Sequence, residues 1–292
     1  ELRHYEGDRA AMIRQITLAL GGGDNPSRYA DELRIVCNGA VCDVFVRPCD
    51  VPDTRFAYRK QSIPASIHPA MAACLARYAL SFVAASKLFA LDPFCGSGTI
   101  PIEAAMIAAG IAPGMHRNFT AENWTHLITP QNWQDVRDEA EDAVDLNIDT
   151  DIQGYDLDPD MIEIARINAQ KAGVADLIHF QTRDVADLSH RKKYGFIITN
   201  PPYGERIGDQ QELPSLYHTI GKRYRALDSW SLYLITAYDQ AEKFIGRKAD
   251  KNRKIYNGMI KTYYYQFLGP KPPRKKYTPE GGAQQKEAEN EE

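Results

Sequence analysis

The chain has 292 residues, of which 43% are hydrophobic and 25% charged, an ordinary composition for a globular protein. Its formal net charge is −4, so overall charge does not indicate a nucleic-acid partner, and it has no long apolar run or signal-peptide pattern. The five cysteines form no CxxC pair and no histidine cluster accompanies them. We therefore expect a cytoplasmic protein with reduced thiols, no membrane span and no metal.

The predicted elements alternate between helices and strands. Helical spacing covers 8–20, and two β-rich runs joined at Asn38 and Gly39 predict a hairpin over 33–47. The further predicted helices are 69–85, 99–109, 135–147, 159–172 and 216–226. The further predicted strands are 87–91, 151–155, 178–181, 196–199, 231–236 and 261–268. This alternation predicts a mostly parallel sheet with helices on both faces.

Composition suggests three parts. Residues 1–60 read as an N-terminal extension or linker that contains the hairpin, and 61–269 read as the main domain. Residues 270–292 are dominated by Pro, Lys, Glu, Gln and Gly, which predicts a disordered tail. Within the main domain, segment 110–150 separates two strands by far more than a usual connection, so we interpret it as an insertion.

A glycine-containing turn follows the strand predicted at 87–91. Its sequence is DPFCGSGT, from Asp92 to Thr99, and it matches neither the GxGxxG fingerprint nor the phosphate-binding P-loop. Gly96 and Gly98 let the backbone bend tightly and approach a ligand. An aspartate at this point would repel phosphates and suits a ligand with a cationic amino group.

Two more acidic residues follow the next two predicted strands. Asp156 can accept hydrogen bonds from both hydroxyls of a ribose, and the Asp184 carboxylate could bind an adenine amino group. For each of them a loop cap is the structural alternative, and Asp158 is best explained as a helix N-cap with Pro159 at the first helical position. Three acidic strand ends and a glycine turn favour an adenosyl ligand without phosphates, and S-adenosylmethionine fits.

Strand 196–199 ends in NPPYG, from Asn200 to Gly204. Prolines cannot donate to a sheet ladder, so the chain leaves the sheet at a strand end, where ligands of α/β proteins bind. The Asn200 side-chain oxygen and the Pro201 carbonyl can accept both N–H bonds of a planar amine and orient its lone pair. Tyr203 offers a ring for stacking on an extruded base. A surface turn that happens to hold two prolines is the structural alternative.

The sequence resembles the class I S-adenosylmethionine-dependent methyltransferases, with NPPY where enzymes that methylate planar amino groups carry it. Four segments together resemble the bacterial THUMP-associated guanine-N2 RNA methyltransferases of the large-subunit rRNA type: DPFCGSGTIPIEAAMIA, IAPGMHRNF, NPPYGERIG and KIYNGMIKTYYYQF. The match runs from about Leu33 to Leu268. The resemblance implies an α/β, Rossmann-like class I methyltransferase fold: a mostly parallel seven-stranded sheet with helices on both faces and an antiparallel last strand.

The resemblance also implies a reaction and a set of site residues. The reaction is methyl transfer to the N2 amine of a guanine in RNA, with 23S rRNA expected ahead of tRNA. The implied catalytic motif is Asn200, Pro201, Pro202 and Tyr203. The implied cofactor contacts are Asp92, Phe94, Cys95, Gly96, Ser97, Gly98, Thr99, Asp156, Leu157, Asp184, Val185 and Asn200. The family carries an insertion at 110–150, and residues 1–60 would be a remnant beside a missing RNA-binding THUMP domain.

Several alternatives stay open. The same motifs suit a tRNA guanine-N2 methyltransferase, a DNA adenine-N6 methyltransferase or a protein glutamine methyltransferase, and a non-catalytic RNA-binding module is a further hypothesis. His68 could line the cofactor pocket or simply begin a helix. The residues expected to contact RNA phosphates, if they rim the Asn200 cleft, are Arg55, Arg59, Lys60, Arg206, Lys222 and Arg223. The oligomeric state is not predicted.

Overall fold

A computed structural model describes residues 2–3, 8, 10–12, 14–15, 33–38, 41–46, 58, 67–80, 89–115, 117–204 and 209–272. The basic residues Arg55, Arg59, Lys60 and Arg206 lie outside these ranges, as does the predicted tail from 273 onward. Within the described part, no helix is both long and apolar enough to cross a membrane.

Seven strands form the main sheet. They are β4 (Phe89–Asp92), β5 (Asp151–Asp156), β6 (Ile178–Thr182), β7 (Phe196–Thr199), β8 (Ser231–Thr236), β9 (Lys251–Asn257) and β10 (Ile260–Phe267). Their order across the sheet is β6-β5-β4-β7-β8-β10-β9. The five strands from β6 to β8 pair in parallel, while β10 is antiparallel to both β8 and β9. The predicted fold class is confirmed.

Six helices accompany the sheet in the described ranges. They are α1 (Pro69–Leu80), α2 (Thr99–Ala108), α3 (Pro130–Asp142), α4 (Pro159–Lys171), α5 (Leu213–Ala226) and α6 (Ala241–Ile245). One core cluster joins α1, α2 and α4 to one face of the sheet, and a second joins α5 and α6 to the other face. Helix α2 is buried almost all round, because eight of its ten residues are shielded from solvent. Helix α3 has no buried residue and lies on the surface.

The predicted hairpin at 33–47 is confirmed. Strands β2 (Leu33–Asn38) and β3 (Val41–Val46) pair antiparallel, and the short β1 (Leu2–Arg3) pairs in parallel with β2, so that the three form a separate sheet. The three-part division of the chain remains a prediction.

Several predicted boundaries needed correction. Helix α3 begins at Pro130, five residues before the predicted start, because Thr129 caps it by accepting a hydrogen bond from the Asn132 amide. The predicted insertion 110–150 also holds a 3₁₀ turn, Thr120–Asn123. Helix α5 begins at Leu213 rather than 216. Strand β9 and the short α6 were not predicted.

Candidate active site

The carboxyl ends of β4 and β7 lie side by side in the sheet. The chain proceeds outward from β4 to β5 and β6, then returns to place β7 on the other side of β4. Such a reversal of strand order opens a crevice at the carboxyl ends of the two central strands. A cavity of about 610 Å³ lies there. Its lining includes the glycine turn after β4, the acidic loops after β5 and β6, and the NPPYG segment after β7.

Asp92 ends β4 and is 2% exposed. Its Oδ1 accepts hydrogen bonds from the Thr199 hydroxyl at 2.6 Å and from the Phe94 amide at 3.1 Å. Burial raises the pKa of this carboxyl to about 7, although the two hydrogen bonds oppose the rise and the nearby Asp156 adds to it. A cationic ligand group would therefore stabilise the ionised form of Asp92.

The glycine turn is held from two sides. The Gly96 amide donates to Asp156 Oδ2 at 2.9 Å, which ties the turn to the end of β5. Asn168 of α4 is 1% exposed, and its Nδ2 donates to the Ser97 carbonyl at 3.0 Å. Gly98 has a φ of 82°, and a Cβ there would lie 3.0 Å from both Ala165 and Phe180. Gly98 thus permits close packing behind the turn, and it is absent from the cavity lining.

Asp156 and Asp184, the two other acidic residues predicted to contact the cofactor, line the cavity and also accept hydrogen bonds from backbone amides. Asp156 accepts from the Asp158 amide at 3.0 Å in addition to Gly96, and exposed Asp184 accepts from the Ala186 amide at 2.7 Å as the cap of a 3₁₀ turn. A carboxylate offers about four lone-pair sites, so each retains acceptor capacity for a ligand. Asp158 caps α4 as predicted, accepting from the Asp160 amide at 2.9 Å.

The cavity lining is acidic. It contains Asp92, Asp156, Asp158 and Asp184, whereas Arg183 is the one basic residue among the lining residues that are described. The Arg183 guanidinium donates to Ser189 Oγ at 3.0 Å and lies 5.2 Å from the centre of the Tyr155 ring. This charge distribution suits a cationic ligand and opposes a phosphorylated one.

The NPPYG segment presents an unused acceptor at the cavity. Asn200 Oδ1 is buried and makes no hydrogen bond to any described residue. Pro202 of the same segment is held by α5, because the buried Tyr217 hydroxyl of that helix donates to the Pro202 carbonyl at 3.2 Å. The same hydroxyl lies 2.5 Å from Thr236 Oγ1 at the end of β8.

These residues fit S-adenosylmethionine. Acidic side chains lie at three successive strand ends around one cavity, where they can meet an amino group, a ribose and an adenine amine. The buried thiol of Cys95 also lines the cavity, and burial raises its pKa well above the usual value, so it stays a neutral apolar surface.

Most predicted site residues converge on this cavity, namely Asp92, Phe94, Cys95, Gly96, Ser97, Thr99, Asp156, Leu157, Asp184, Val185, Asn200, Pro201, Pro202 and Tyr203. Lys222 and Arg223 do not line it: they lie six and seven residues past Leu216, the lining residue of α5, or roughly 10 Å along the helix. His68 is exposed, and its Nδ1 accepts from the Ala70 amide at the start of α1, in keeping with the structural alternative.

Three residues that hold the site were not predicted: Thr199, Asn168 and Tyr217. Thr199 directly precedes the NPPYG segment and ends a strand next to Asp92, so strand order alone would have suggested it. Asn168 and Tyr217 act on partners 71 and 15 residues away, and no local pattern in the sequence indicates those pairs.

Comparison with known proteins identifies the family. Residues 57–266 match the family model described as RMKL-like, methyltransferase domain. YpsC of Bacillus subtilis, named as a candidate RNA methyltransferase, is 43% identical over 188 residues, which cover 64% of this chain and 49% of YpsC. Ribosomal RNA large subunit methyltransferase K/L of Shewanella frigidimarina is 40% identical over 181 residues, which cover 60% of this chain and 25% of that protein.

A solved structure agrees with the sequence comparison. The crystal structure of SMU.472, described as a candidate methyltransferase complexed with SAH, has a TM-score of 0.76 and 34% identity, covering 90% of this chain and 69% of that one. The chain spans about half the length of YpsC and a quarter of the K/L enzyme. The chain belongs to the RMKL-like methyltransferase domain family.

Proposed function

We propose that the chain is the catalytic part of an RNA methyltransferase that transfers a methyl group from S-adenosylmethionine to the N2 amine of a guanine, in 23S rRNA. The observation that carries this proposal is the buried Oδ1 of Asn200 at the cavity, which has no hydrogen-bond partner among the described residues. A buried acceptor without a partner costs about 1–3 kcal/mol, so a ligand N–H is the natural partner for it. RNA is supported as the substrate class by the names of YpsC and the K/L enzyme.

The NPPYG segment would position the amine. Asn200 Oδ1 and the Pro201 carbonyl accept the two N–H bonds of the guanine amine, which turns its lone pair toward the methyl donor. Both oxygens also stabilise the positive charge that develops on the nitrogen during transfer. S-adenosylmethionine supplies, when bound, a methyl group activated by a positively charged sulfur. Tyr203 would stack on the extruded base.

The acidic strand ends would hold the cofactor. Asp92 attracts the cationic amino group, Asp156 accepts from the ribose hydroxyls, and Asp184 accepts from the adenine amine. The backbone of the glycine turn lies against the cofactor between the first two of these contacts. SMU.472, the related structure with SAH, supports S-adenosylmethionine as the methyl donor.

The remaining assignments are part of the same proposal. The methyltransferase domain covers 61–269, after a linker at 1–60 and before a tail at 270–292, and the enzyme works in the cytoplasm. Arg55, Arg59, Lys60, Arg206, Lys222 and Arg223 would contact RNA phosphates. Of these six residues, Lys222 and Arg223 are described, and they lie outside the cavity lining, where RNA beside the target nucleotide could reach them.

The test is to identify the methylated nucleoside. The purified chain is incubated with labelled S-adenosylmethionine and, separately, with unmodified 23S rRNA, unmodified tRNA and DNA, and each nucleic acid is then digested to nucleosides. N2-methylguanosine from the 23S rRNA is the expected product. N2-methylguanosine from tRNA alone would replace 23S rRNA with tRNA as the substrate, and N6-methyladenine from DNA would overturn the proposal.

A further inference from the structure

The hairpin formed by β9 and β10 carries exposed cations and aromatic rings. Segment 251–263 contains Lys251, Arg253, Lys254 and Lys261 and no acidic residue. At its turn, Met259 is 97% exposed, and Tyr256 is 55% exposed nearby. Strand β9 is the outermost strand of the sheet, so one of its edges is not paired within the sheet. This surface belongs to neither the cavity nor the NPPYG segment.

Strand register places lysine and tyrosine alternately on one face of this hairpin. Lys254 pairs with Tyr263 and Tyr256 pairs with Lys261, and residues directly opposite each other share a face of the sheet. The Lys254 ammonium lies 5.7 Å from the centre of the Tyr256 ring, and the Lys261 ammonium lies 5.3 Å from that of Tyr263. We call these four side chains the hairpin face.

The hairpin face lies beyond the carboxyl end of β8, at the same end of the parallel strands as the cavity. Tyr263 pairs with Thr236, the last residue of β8, so residues 260–262 and the turn extend beyond the carboxyl end of β8. The four residues from Tyr263 back to Met259 reach roughly 13 Å past that end. Strand β10 is two positions from β7, which puts the hairpin about 10 Å to the side of the strand that leads into Asn200.

This combination of groups fits a nucleic-acid strand. Lysines supply positive charge for phosphates, and an exposed tyrosine ring stacks on a base of any sequence. The basic surface ends at Tyr265, two pairs further from the turn, where burial and then the nearby acidic Glu242 and Asp239 raise the pKa of the phenol. We propose that the hairpin face binds the RNA strand that flanks the target nucleotide. This inference rests on the proposed RNA methyltransferase function and adds a docking surface to it.

The charge contribution is tested with a matched pair of double variants. Lys254→Ala with Lys261→Ala removes two charges from the hairpin face. Lys171→Ala with Lys248→Ala removes two exposed charges from the other end of the strands, because Lys171 ends α4 ahead of β6 and Lys248 lies just before the start of β9. Binding of an unmodified 23S rRNA transcript is measured over a range of KCl concentrations. The slope of log K against log salt should fall by about 1.4 in the first variant and stay unchanged in the second.

Stacking is tested at Tyr256. Tyr256→Ala should weaken binding of the same transcript roughly tenfold, whereas Tyr256→Phe, which keeps the ring, should retain wild-type affinity. S-adenosylmethionine affinity should be unchanged in all of these variants, because the cavity is untouched. An unchanged cofactor affinity also shows that the variants are folded.

The outcomes separate this inference from the proposed function. If the unmutated chain methylates the transcript and the hairpin variants bind as the control does, only the hairpin inference is overturned. The cations would then serve to keep an edge strand from pairing with other chains, and the double variant should self-associate in light scattering. If the unmutated chain neither binds nor methylates the transcript, the RNA assignment fails and the hairpin inference with it.

Discussion

The Thr199 hydroxyl donates a 2.6 Å hydrogen bond to the Asp92 carboxylate, and both side chains are buried. This bond joins the ends of β4 and β7, two neighbouring strands at the reversal of strand order. One strand leads into the glycine turn and the other into the NPPYG segment. The proposed cofactor site and the proposed amine site are therefore linked by one buried contact.

Cofactor binding should depend on pH through Asp92. Burial raises the pKa of this carboxyl to about 7, so below that pH much of it is protonated and attracts a cationic amino group poorly. We expect the affinity for S-adenosylmethionine to fall as pH decreases from 8 to 6, measured by calorimetry. Asp92→Asn should bind weakly at every pH and lose this dependence. An equal dependence in wild type and variant would refute the role of Asp92.

Asp92 should also make the free energy of unfolding depend on pH, but in the opposite direction: cofactor affinity rises with pH, whereas stability falls. The pKa of Asp92 rises from an ordinary 3.8 to about 7 in the folded, cofactor-free protein, so the folded state holds a proton that the unfolded state releases. Its contribution to the free energy of unfolding is therefore present at low pH and is lost as pH rises from about 4 to 7. Urea unfolding of wild type and Asp92→Asn should show a pH-dependent difference in this range that changes little above about 8.

Tyr217 should position the NPPYG segment. Tyr217 and Tyr224 lie two turns apart on α5, both are buried, and each donates its hydroxyl to a carbonyl, that of Pro202 at 3.2 Å and that of Phe267 at 3.0 Å. Tyr217→Phe should lower kcat roughly fivefold with cofactor affinity unchanged, because a hydrogen bond worth about 1 kcal/mol no longer orients the segment.

Tyr224→Phe is the matched control for Tyr217→Phe. It removes the same group from the same helix but from a partner at the end of β10, so kcat should stay at the wild-type value while unfolding free energy falls by a similar amount. Equal effects of the two variants on kcat would show that Tyr217 matters only for stability.

Gly98 should be required for packing behind the glycine turn. Gly98 and Gly173 both have positive φ, 82° and 71°, but an added Cβ lies 3.0 Å from Ala165 and Phe180 at Gly98 and meets nothing within 4 Å at Gly173. Gly98→Ala should therefore lower the free energy of unfolding by about 1–3 kcal/mol more than Gly173→Ala in urea titrations. Equal losses would mean that backbone strain alone explains the choice of glycine.

Short apolar strands were the most predictable elements. The bounds 196–199 and 231–236 agree with β7 and β8 to the residue, because each is a continuous buried run between clear breaks. Strand β9 was not predicted because its sequence, KNRKIYN, is mostly polar or charged, and its residues are largely exposed. It is a strand because its backbone pairs with β10, a partner that a local pattern does not reveal.

The position of the site could be predicted better than its internal contacts. Acidic residues at successive strand ends and a double proline after β7 must meet at one edge of a parallel sheet, which local sequence and strand order suffice to indicate. Gly98 does not line the cavity. Because it has no Cβ, Ala165 and Phe180 can pack closely against its backbone. Such packing, like the bond from Asn168 to the Ser97 carbonyl, depends on the relative position of helix and turn, which the sequence does not display.

The most direct test concerns the buried oxygen of Asn200. Asn200→Ala is compared with the unmutated chain in two measurements: S-adenosylmethionine affinity by calorimetry, and single-turnover methyl transfer to unmodified 23S rRNA. We expect an affinity within about threefold of wild type and a loss of transfer of roughly 100-fold or more, as when other preorganised transition-state contacts are removed. Wild-type transfer by Asn200→Ala would show that this amide oxygen does not hold the amine that is methylated.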